Sequence, residues 1–205
     1  MARKTATPLL GPLLLLITLT FLIPSSAWAL KVKLRIDLPL GGSYSITGLD
    51  SFVPQGGFGL GLGVVIPYEQ DIDIETGYKY KSSSFTGSTS TSTYKGKYTS
   101  HFVQIGASYS GIGITDSYKL IFSGTVDLPL AGSAEVTRRS DDSKTSSSSF
   151  GGLGFYGTAG VTDGQMDFYT FYQQRSVSYG LTPPGKNAKL KWTTAAYGLG
   201  VGYTF

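Results

Sequence analysis

The sequence contains no cysteine, and its 205 residues include a single histidine. The lack of cysteine excludes a lipid-modified cysteine after a leader segment, disulfide bonds and thiolate metal sites. It also suits a chain that passes through an oxidising compartment. Because no other part of the sequence shows a convincing binding site, we expect no cofactor and no metal site.

Helical periodicity is missing from the chain after its first thirty residues. The sequence instead has 28 glycines, 14 tyrosines and 11 phenylalanines, with apolar and polar residues alternating along several segments. Alternation with a period of two, in a chain rich in Gly, Ser, Thr and Tyr, predicts an all-β fold.

The one long apolar run lies near the N-terminus. Arg3 and Lys4 precede an apolar segment at 13–23, and small residues follow at Ala27 and Ala29. This order of charge, apolar core and alternating small residues predicts a secretory signal peptide that is cleaved after Ala29. A membrane-anchor helix is the alternative, but it needs about 20 apolar residues.

Pro24 also closes the apolar run too early for such a helix, which favours a signal peptide at 1–29. Its cleavage would leave a single domain at 30–205. The loss of Arg3 and Lys4 leaves 15 basic and 13 acidic residues, a net charge of only +2. A net charge this close to zero does not indicate a nucleic-acid-binding protein, which is usually strongly basic.

The chain resembles itself in two halves. Three pairs of segments match in the same order at offsets of 90 to 94 residues, namely 35–43 with 125–133, 71–82 with 165–176, and 95–109 with 189–203. Chance similarity between amphipathic strands is the alternative. The order of the matches favours an internal duplication of a four-stranded unit, so the number of strands should be even.

Each half is predicted to hold four strands. The predicted strands are 30–40, 58–66, 71–81, 95–109, 118–130, 150–161, 166–175 and 189–205. Short turns at 67–70, 110–117 and 162–165 alternate with longer polar loops at 41–57, 82–94, 131–149 and 176–188. Strands of this length and loops that alternate in this way are typical of outer-membrane barrels, with short turns in the periplasm.

Periodicity alone does not distinguish a membrane barrel from a soluble one. The strand at 58–66 has three glycines at alternate positions of one face, Gly59, Gly61 and Gly63, which suit a narrow lumen better than a water-facing surface. Aromatic residues also gather near the strand ends, as in the interfacial girdles of membrane barrels. We expect this role for Tyr68, Tyr78, Tyr80, Tyr98, Tyr118, Tyr172, Trp192 and Tyr203.

The C-terminal strand ends on an aromatic residue. Phe205 is preceded by Tyr203 and by Gly200, and the tail resembles the C-terminal signal that the barrel assembly machinery reads in outer-membrane proteins. With the predicted leader and loop plan, the mature chain resembles the small eight-stranded outer-membrane barrels of the OmpA/OmpX type. This resemblance implies an eight-stranded antiparallel up-and-down transmembrane β-barrel in the bacterial outer membrane.

The faces opposite the apolar residues should fill the lumen. Charges of both signs fall at one depth near the periplasmic ends of strands, and buried charges need partners. We predict an ion-pair network of Lys31, Lys33, Arg35, Asp71, Asp73, Glu75, Lys119 and Asp167. A structural plug is favoured over a narrow conduit, because an eight-stranded barrel barely accommodates its own side chains.

Catalytic chemistry is not evident in the sequence. His101 and its neighbour Ser100 point to opposite faces of a strand, so they cannot pair directly, and His101 is expected to face outward. The sequence therefore predicts a protein that is not an enzyme.

Three functions remain open at this point. The first is a structural or surface-interaction barrel for adhesion or envelope integrity, the second a small porin or hydrophobic-ligand channel, and the third a secreted or periplasmic barrel that carries small ligands. For the first, the expected partners are outer-membrane lipid, lipopolysaccharide and the barrel assembly machinery. No nucleic-acid partner is expected, and the protein should be a monomer.

Overall fold

The structure is a computed structural model that describes residues 30–205 except 48, 50, 149, 186 and 188. The predicted signal peptide and its cleavage residues, Ala27 and Ala29, lie outside the described residues. Within the described part of the chain, no helix is long and apolar enough to cross a bilayer.

Within the described residues, nine strands form one antiparallel sheet. They are β1 (Lys31–Ile46), β2 (Ser51–Glu69), β3 (Ile72–Ser88), β4 (Thr93–Gly113), β5 (Lys119–Arg138), β6 (Lys144–Ser147), β7 (Phe150–Thr162), β8 (Met166–Tyr179) and β9 (Lys191–Thr204). Each strand from β1 to β5 pairs with the next, β7 pairs with β5 and β8, and β9 pairs with β8 and β1. Eight strands thus close into an up-and-down barrel, which confirms the predicted architecture. The ninth, β6, is a short strand on the edge of β5 that the sequence pattern missed.

Three of the four segments predicted as long loops are largely strand, namely 41–57, 82–94 and 131–149, whereas 176–188 is strand only as far as Tyr179. β3 continues to Ser88 and β4 begins at Thr93. The connection between them is therefore only 89–92, shorter than the predicted loop at 82–94. The prediction was wrong here because the Ser- and Thr-rich ends of these strands lack the alternation of apolar and polar residues that marks the rest of each strand. Antiparallel pairing between β3 and β4 runs without a break from Ile72 to Ser88.

An apolar belt surrounds the lower part of the barrel, which is the part next to the short turns at 70–71, 114–118 and 163–165. Its side chains point outward and are 36–66% exposed, including Val32, Leu34, Ile36, Leu38, Leu60, Leu62, Ile105, Phe122, Leu128, Phe155, Phe168, Leu199, Val201 and Phe205. Monomeric soluble proteins rarely expose a contiguous apolar surface of this size. A belt that closes around the barrel is the surface that a transmembrane barrel presents to lipid.

Above the belt, the polarity of the two faces inverts. On β4 the outward side chains change from Val103 and Ile105 to Lys95 and Lys97, while the buried inward ones change from Gln104 to aromatic residues. A wall that is polar outside and apolar inside is that of a water-soluble β-structure. The inversion therefore marks the level at which the strands leave the apolar phase.

The upper part of the barrel has an apolar core. Its members are 1–4% exposed and comprise Ile46, Phe85, Tyr94, Tyr98, Phe102, Ala134, Val136, Val177, Tyr179, Leu181, Leu190 and Trp192. The rings of Tyr98 and Trp192 lie 4.3 Å apart between centroids. The prediction that these two residues belong to an interfacial girdle was wrong, because they lie above the belt, where inward positions are apolar.

This upper part consists of two facing sheets. The ladder between β1 and β2 ends at Asp37 and Gly59, and the ladder between β5 and β7 ends at Asp127 and Gly154. Above these levels β2 to β6 stay paired on one side, and β7 to β9 with β1 on the other. The barrel thus continues upward as a two-sheet sandwich around the aromatic core.

A β-bulge lies just above each point of separation. The register shifts between Pro39 and Gly41 on β1, and between Pro129 and Ala131 on β5. Proline is tolerated in strands mainly at bulges and edges. Both prolines belong to the Asp-Leu-Pro-Leu segments that match between the two halves of the sequence, so the matched segments occupy equivalent places in the barrel.

Candidate functional site in the barrel lumen

The lower lumen holds a compact group of four charges. Lys33 Nζ lies 3.1 Å from Glu75 Oε1 and 2.6 Å from Asp167 Oδ2, and Arg35 Nη2 lies 2.5 Å from Glu75 Oε2. All four side chains are at most 10% exposed. Two cations and two carboxylates balance one another, so each buried charge has a partner of opposite sign.

A second group surrounds Asp37 at mid-height. Lys79 Nζ lies 2.5 Å from Asp37 Oδ2, and the hydroxyl groups of Tyr156 and Tyr169 donate to Oδ1 at 2.8 and 2.9 Å. The Lys79 ammonium also lies 3.4 Å from the centroid of the Tyr156 ring. One buried carboxylate is thus satisfied from three strands, which ties β1 to β3, β7 and β8 across the lumen.

The third group is built around Asp127. The Arg175 guanidinium donates through Nε to Asp127 Oδ2 at 2.7 Å and pairs with the same oxygen through Nη2, while Gln104 Nε2 donates to Oδ1 at 2.6 Å. Arg175 also lies over the ring of Phe102, with its central carbon 4.6 Å from the centroid. This group joins the charged lumen to the aromatic core above it.

Glycines on β2 and β7 provide the space for these side chains. A Cβ on Gly154 would lie 2.7 Å from Arg175 Cγ and 3.1 Å from Asp127 Cβ. A Cβ on Gly59 would lie 3.4 Å from both Asp37 and Lys79. The run of glycines on the inward face of β2, Gly59, Gly61 and Gly63, therefore admits long side chains from neighbouring strands.

Of the eight predicted lumen residues, four lie in the lower group: Lys33, Arg35, Glu75 and Asp167. Lys119 and Asp71 pair with each other at 3.2 Å, but their side chains are 53% and 27% exposed, so this pair lies at the rim. Lys31 is exposed and Asp73 half-buried, and neither forms an ion pair with a described residue.

Sequence reasoning missed the residues of the upper two groups, and a signal for them was available. Asp37 and Asp127 occupy the same place in the matched segments, and so do Lys81 and Arg175. The equivalence is incomplete, because Asp37 binds Lys79 where Asp127 binds Arg175. Lys81 is 5% exposed and forms no ion pair with a described residue.

Packed ion pairs and the aromatic core fill the lumen. A cavity of about 20 Å³ lies among Lys33, Arg35, Glu75, Gln104 and Thr125. Such a volume holds about one water molecule. The arrangement of these side chains suits a plug that holds opposite walls of the barrel together.

The single histidine lies on the outer surface. His101 Nδ1 is hydrogen-bonded to the hydroxyl group of Tyr78, and its ring centroid lies 5.2 Å from that of Tyr80. Ser100 points inward, where its hydroxyl group lies 2.9 Å from the Tyr179 hydroxyl. Among the described residues, no group of three His, Cys, Asp or Glu side chains could hold a metal ion.

The residues of the predicted assembly signal lie on β9 and at the terminus. Tyr203 and Phe205 point outward, with ring centroids 4.7 Å apart. Gly200 points inward, and a Cβ there would overlap the ring of Tyr169. The tail thus ends the apolar belt on one face and leaves room for a lumen tyrosine on the other.

No known protein-family model matches the sequence, and no curated protein matches it significantly. Three small outer-membrane proteins of solved structure are similar in fold. The attachment invasion locus protein Ail of Yersinia pestis is 15% identical with a TM-score of 0.44, over 85% of this chain and 98% of Ail. Neisserial surface protein A is 13% identical with a TM-score of 0.43, over 88% and 100%. OprG of Pseudomonas aeruginosa is 15% identical with a TM-score of 0.41, over 86% and 95%.

Proposed function

We propose that this chain is an integral β-barrel protein of a bacterial outer membrane with a structural or surface-interaction role, in adhesion or in envelope integrity. The observation that carries the proposal is the two-sheet sandwich above the apolar belt. A plugged barrel that extends well beyond its lipid-facing surface holds a folded surface outside the membrane. Rigid display of that kind is what a binding surface needs.

The membrane location is tested by fractionation and by heat-modifiable migration in detergent gels. We expect the mature chain in the outer-membrane fraction, and a folded form that migrates differently from the boiled one. Recovery of the protein from the soluble periplasm without detergent would instead support a secreted or periplasmic carrier. The apolar belt disfavours that third function, because it would face water.

The surface role is tested by shortening the upper sandwich. Replacement of residues 82–94 by a tight turn removes the top of β3 and β4, and an equivalent change of the turn at 163–165 is the control at the opposite end. Loss of cell adhesion to matrix proteins with the first change alone would support an adhesive role. Normal adhesion together with increased sensitivity to detergent would support envelope integrity. No change in either property would refute the proposal.

A small channel for ions or hydrophobic ligands is the second candidate. The observation that favours it is the separation of β1 from β2 and of β5 from β7 at the upper edge of the apolar belt. Two neighbouring strands that are not hydrogen-bonded to each other can move apart and open the barrel wall. Phe150 lies against Gly132 at the second boundary, and its ring packs on Phe102 and Tyr179. Absence of discrete openings in planar bilayers, together with unchanged uptake of hydrophobic solutes in a deletion strain, would refute the channel.

The proposed location implies insertion by the barrel assembly machinery through Gly200, Tyr203 and Phe205. Deletion of Phe205 should reduce the amount of inserted protein without changing synthesis, whereas Phe168→Ala, an outward aromatic change elsewhere in the belt, should not. We also propose that the barrel is a monomer, which sedimentation in detergent would test.

A further inference from the structure

Two rows of buried positions cross the barrel wall at the level where the strands separate. Each row runs in register through four adjacent strands and contains an aspartate, a glycine, a cation and a hydroxyl residue in that order. The rows are Asp37, Gly59, Lys81 and Ser100 on β1 to β4, and Asp127, Gly154, Arg175 and Thr194 on β5, β7, β8 and β9. Corresponding residues are 90 to 95 positions apart in the sequence. The two halves of the chain thus place the same chemical groups at equivalent places in the ring.

The two rows differ in how the cation is paired. Arg175 binds Asp127, whereas Asp37 binds Lys79 instead of Lys81. Lys81 is buried and forms no ion pair in the part of the chain that the structure describes. The charged groups close enough to act on Lys81 are those of Arg175, Lys79, Asp127 and Asp37. Three cations against two carboxylates leave this level of the lumen with an uncompensated charge of +1.

Hydrogen-bond donors at this level outnumber the acceptors. Both carboxylates are already occupied, Asp37 by a lysine and two tyrosines and Asp127 by a glutamine and an arginine. Arg175 Nη1, Gln173 Nε2 and Thr194 Oγ1 are buried and have no hydrogen-bond partner among the described residues. Such groups are costly to bury unless an acceptor satisfies them.

Contacts between β8 and β4 bring Arg175 and Lys81 into the same part of the lumen. The central carbon of the Arg175 guanidinium lies 4.6 Å from the centroid of the Phe102 ring. Ser100, two residues before Phe102 on β4, is in register with Lys81 and lies 2.9 Å from the Tyr179 hydroxyl group on β8. A hydrogen bond between two hydroxyl groups uses one of their two protons, so one O–H group of this pair can still donate.

We propose that Lys81 and the donors beside it bind one small monovalent anion, such as chloride, inside the barrel. One negative charge would neutralise this level of the lumen, and a spherical ion accepts hydrogen bonds from donors on several strands at once. A halide needs little more room than the about 30 Å³ of a water molecule, and the flexible stem of Lys81 can move to provide it. The dense packing of the lumen excludes a larger anion such as phosphate. The site requires only the closed barrel, whatever its outer surface binds.

The first experiment locates the ion. The mature protein is crystallised in sodium bromide, and the anomalous scattering of bromine is measured. We expect one strong site inside the barrel, in contact with Lys81 Nζ, and no such site in crystals of Lys81→Met. Bromide found only on the outer surface, or the same internal site in Lys81→Met, would refute the proposal.

The second experiment measures the effect of the ion on stability. Urea unfolding in lipid vesicles is compared in sodium chloride and sodium gluconate at constant ionic strength. Above the dissociation constant, a tenfold increase in chloride should raise the ratio of folded to unfolded protein by about five- to ten-fold, because only the folded barrel binds the ion. Lys119→Met, which removes an exposed charge at the rim, should keep this dependence.

Two variants should abolish the chloride dependence for different reasons. Lys81→Met removes the cation, whereas Ser100→Asp places a carboxylate in register with Lys81 that replaces the ion. Each should unfold at the same urea concentration in chloride as in gluconate. Equal chloride dependence in Lys81→Met and the unchanged protein would overturn the proposal. So would a wild-type stability that varies with pH but not with chloride, since Lys81 would then be buried without its charge.

Discussion

The guanidinium group of Arg175 reaches across the Cα of Gly154 to the carboxylate of Asp127, with an Nε–Oδ2 distance of 2.7 Å. The three residues lie on the adjacent strands β8, β7 and β5. Because Gly154 has no side chain, nothing lies between the two charged groups. Both charged side chains are at most 3% exposed. Because neither charge can turn to water, the loss of one partner leaves the other buried and uncompensated.

Arg175→Met should destabilise the barrel by about 3–5 kcal/mol, because it leaves the Asp127 carboxylate buried without a cation. Asp127→Asn in the same chain should recover most of this loss. Urea unfolding of the protein in lipid vesicles, followed by tryptophan fluorescence, measures both. As a control, Lys119→Met removes the exposed rim pair with Asp71 and should cost less than about 1 kcal/mol. Equal effects of the two single changes would contradict the expected role of burial.

Trp192→Ala should open the upper sandwich while the lower barrel stays folded. Trp192 is 1% exposed and packs on Tyr98 and Phe85, and the loss of a buried tryptophan costs about 3–5 kcal/mol. Limited proteolysis should then cleave the connection at 89–92 more rapidly, with heat-modifiable migration retained. Tyr197→Ala, on the outward face of the same strand, should leave the cleavage rate unchanged. Loss of the whole barrel in Trp192→Ala would show that the two parts do not unfold separately.

Gly106→Ala and Gly124→Ala form a matched pair on neighbouring strands. A Cβ on Gly106 would overlap the carbonyl oxygen of Gly124, whereas a Cβ on Gly124 meets nothing within 4 Å. Gly106→Ala should therefore cost about 1–3 kcal/mol through forced displacement of β5. Gly124→Ala should be neutral or stabilising by about 0.5–1 kcal/mol, because alanine loses less backbone entropy. Unfolding midpoints in urea compare the two, and the reverse order would contradict the close approach of the strands.

Acidification should loosen the turn after β5. Hydrogen bonds from Arg138 and Ser143 hold the pKa of Asp141 below its usual range. A carboxyl group whose pKa is lowered by folding stabilises the turn above its unfolded pKa and loses that effect as pH falls through the folded value. A carboxyl carbon titration by NMR should therefore show Asp141 titrating below the usual range of an aspartate, and Arg138→Ala should shift its pKa back up. An unchanged titration in that variant would exclude Arg138 as the cause.

The barrel architecture could be predicted because lipid-facing strands alternate strongly. The strand at 58–66, with apolar residues on one face and glycine on the other, was recognisable from its sequence alone. The upper sandwich was harder to predict, since Tyr98 and Trp192 are aromatic in either environment. The signal that could have located them is on the other face, where Lys95 and Lys97 continue the outward positions of Val103 and Ile105.

The charged lumen was predicted for the lower group and missed for the upper two. The sequence shows which residues share a face but not which face each other across the barrel, because that depends on register. Lys79 reaches Asp37, although the residue of the first half that matches Arg175 is Lys81, and two tyrosines from β7 and β8 complete the site. Contacts made by three separate strands at once cannot be derived from the periodicity of any one of them.

The end of strand pairing at Asp37 and Asp127 divides the chain into parts that can change independently. Below those residues, every strand is bound on both edges, and an insertion would disturb the closure of the whole ring. Above them, each sheet has two edge strands that do not pair with the other sheet. The connections at the tops of the strands are held only by the strands that they join. Residues added to or removed from the tops of these strands should therefore be tolerated, so that the exposed surface can diversify while the part in the membrane stays the same.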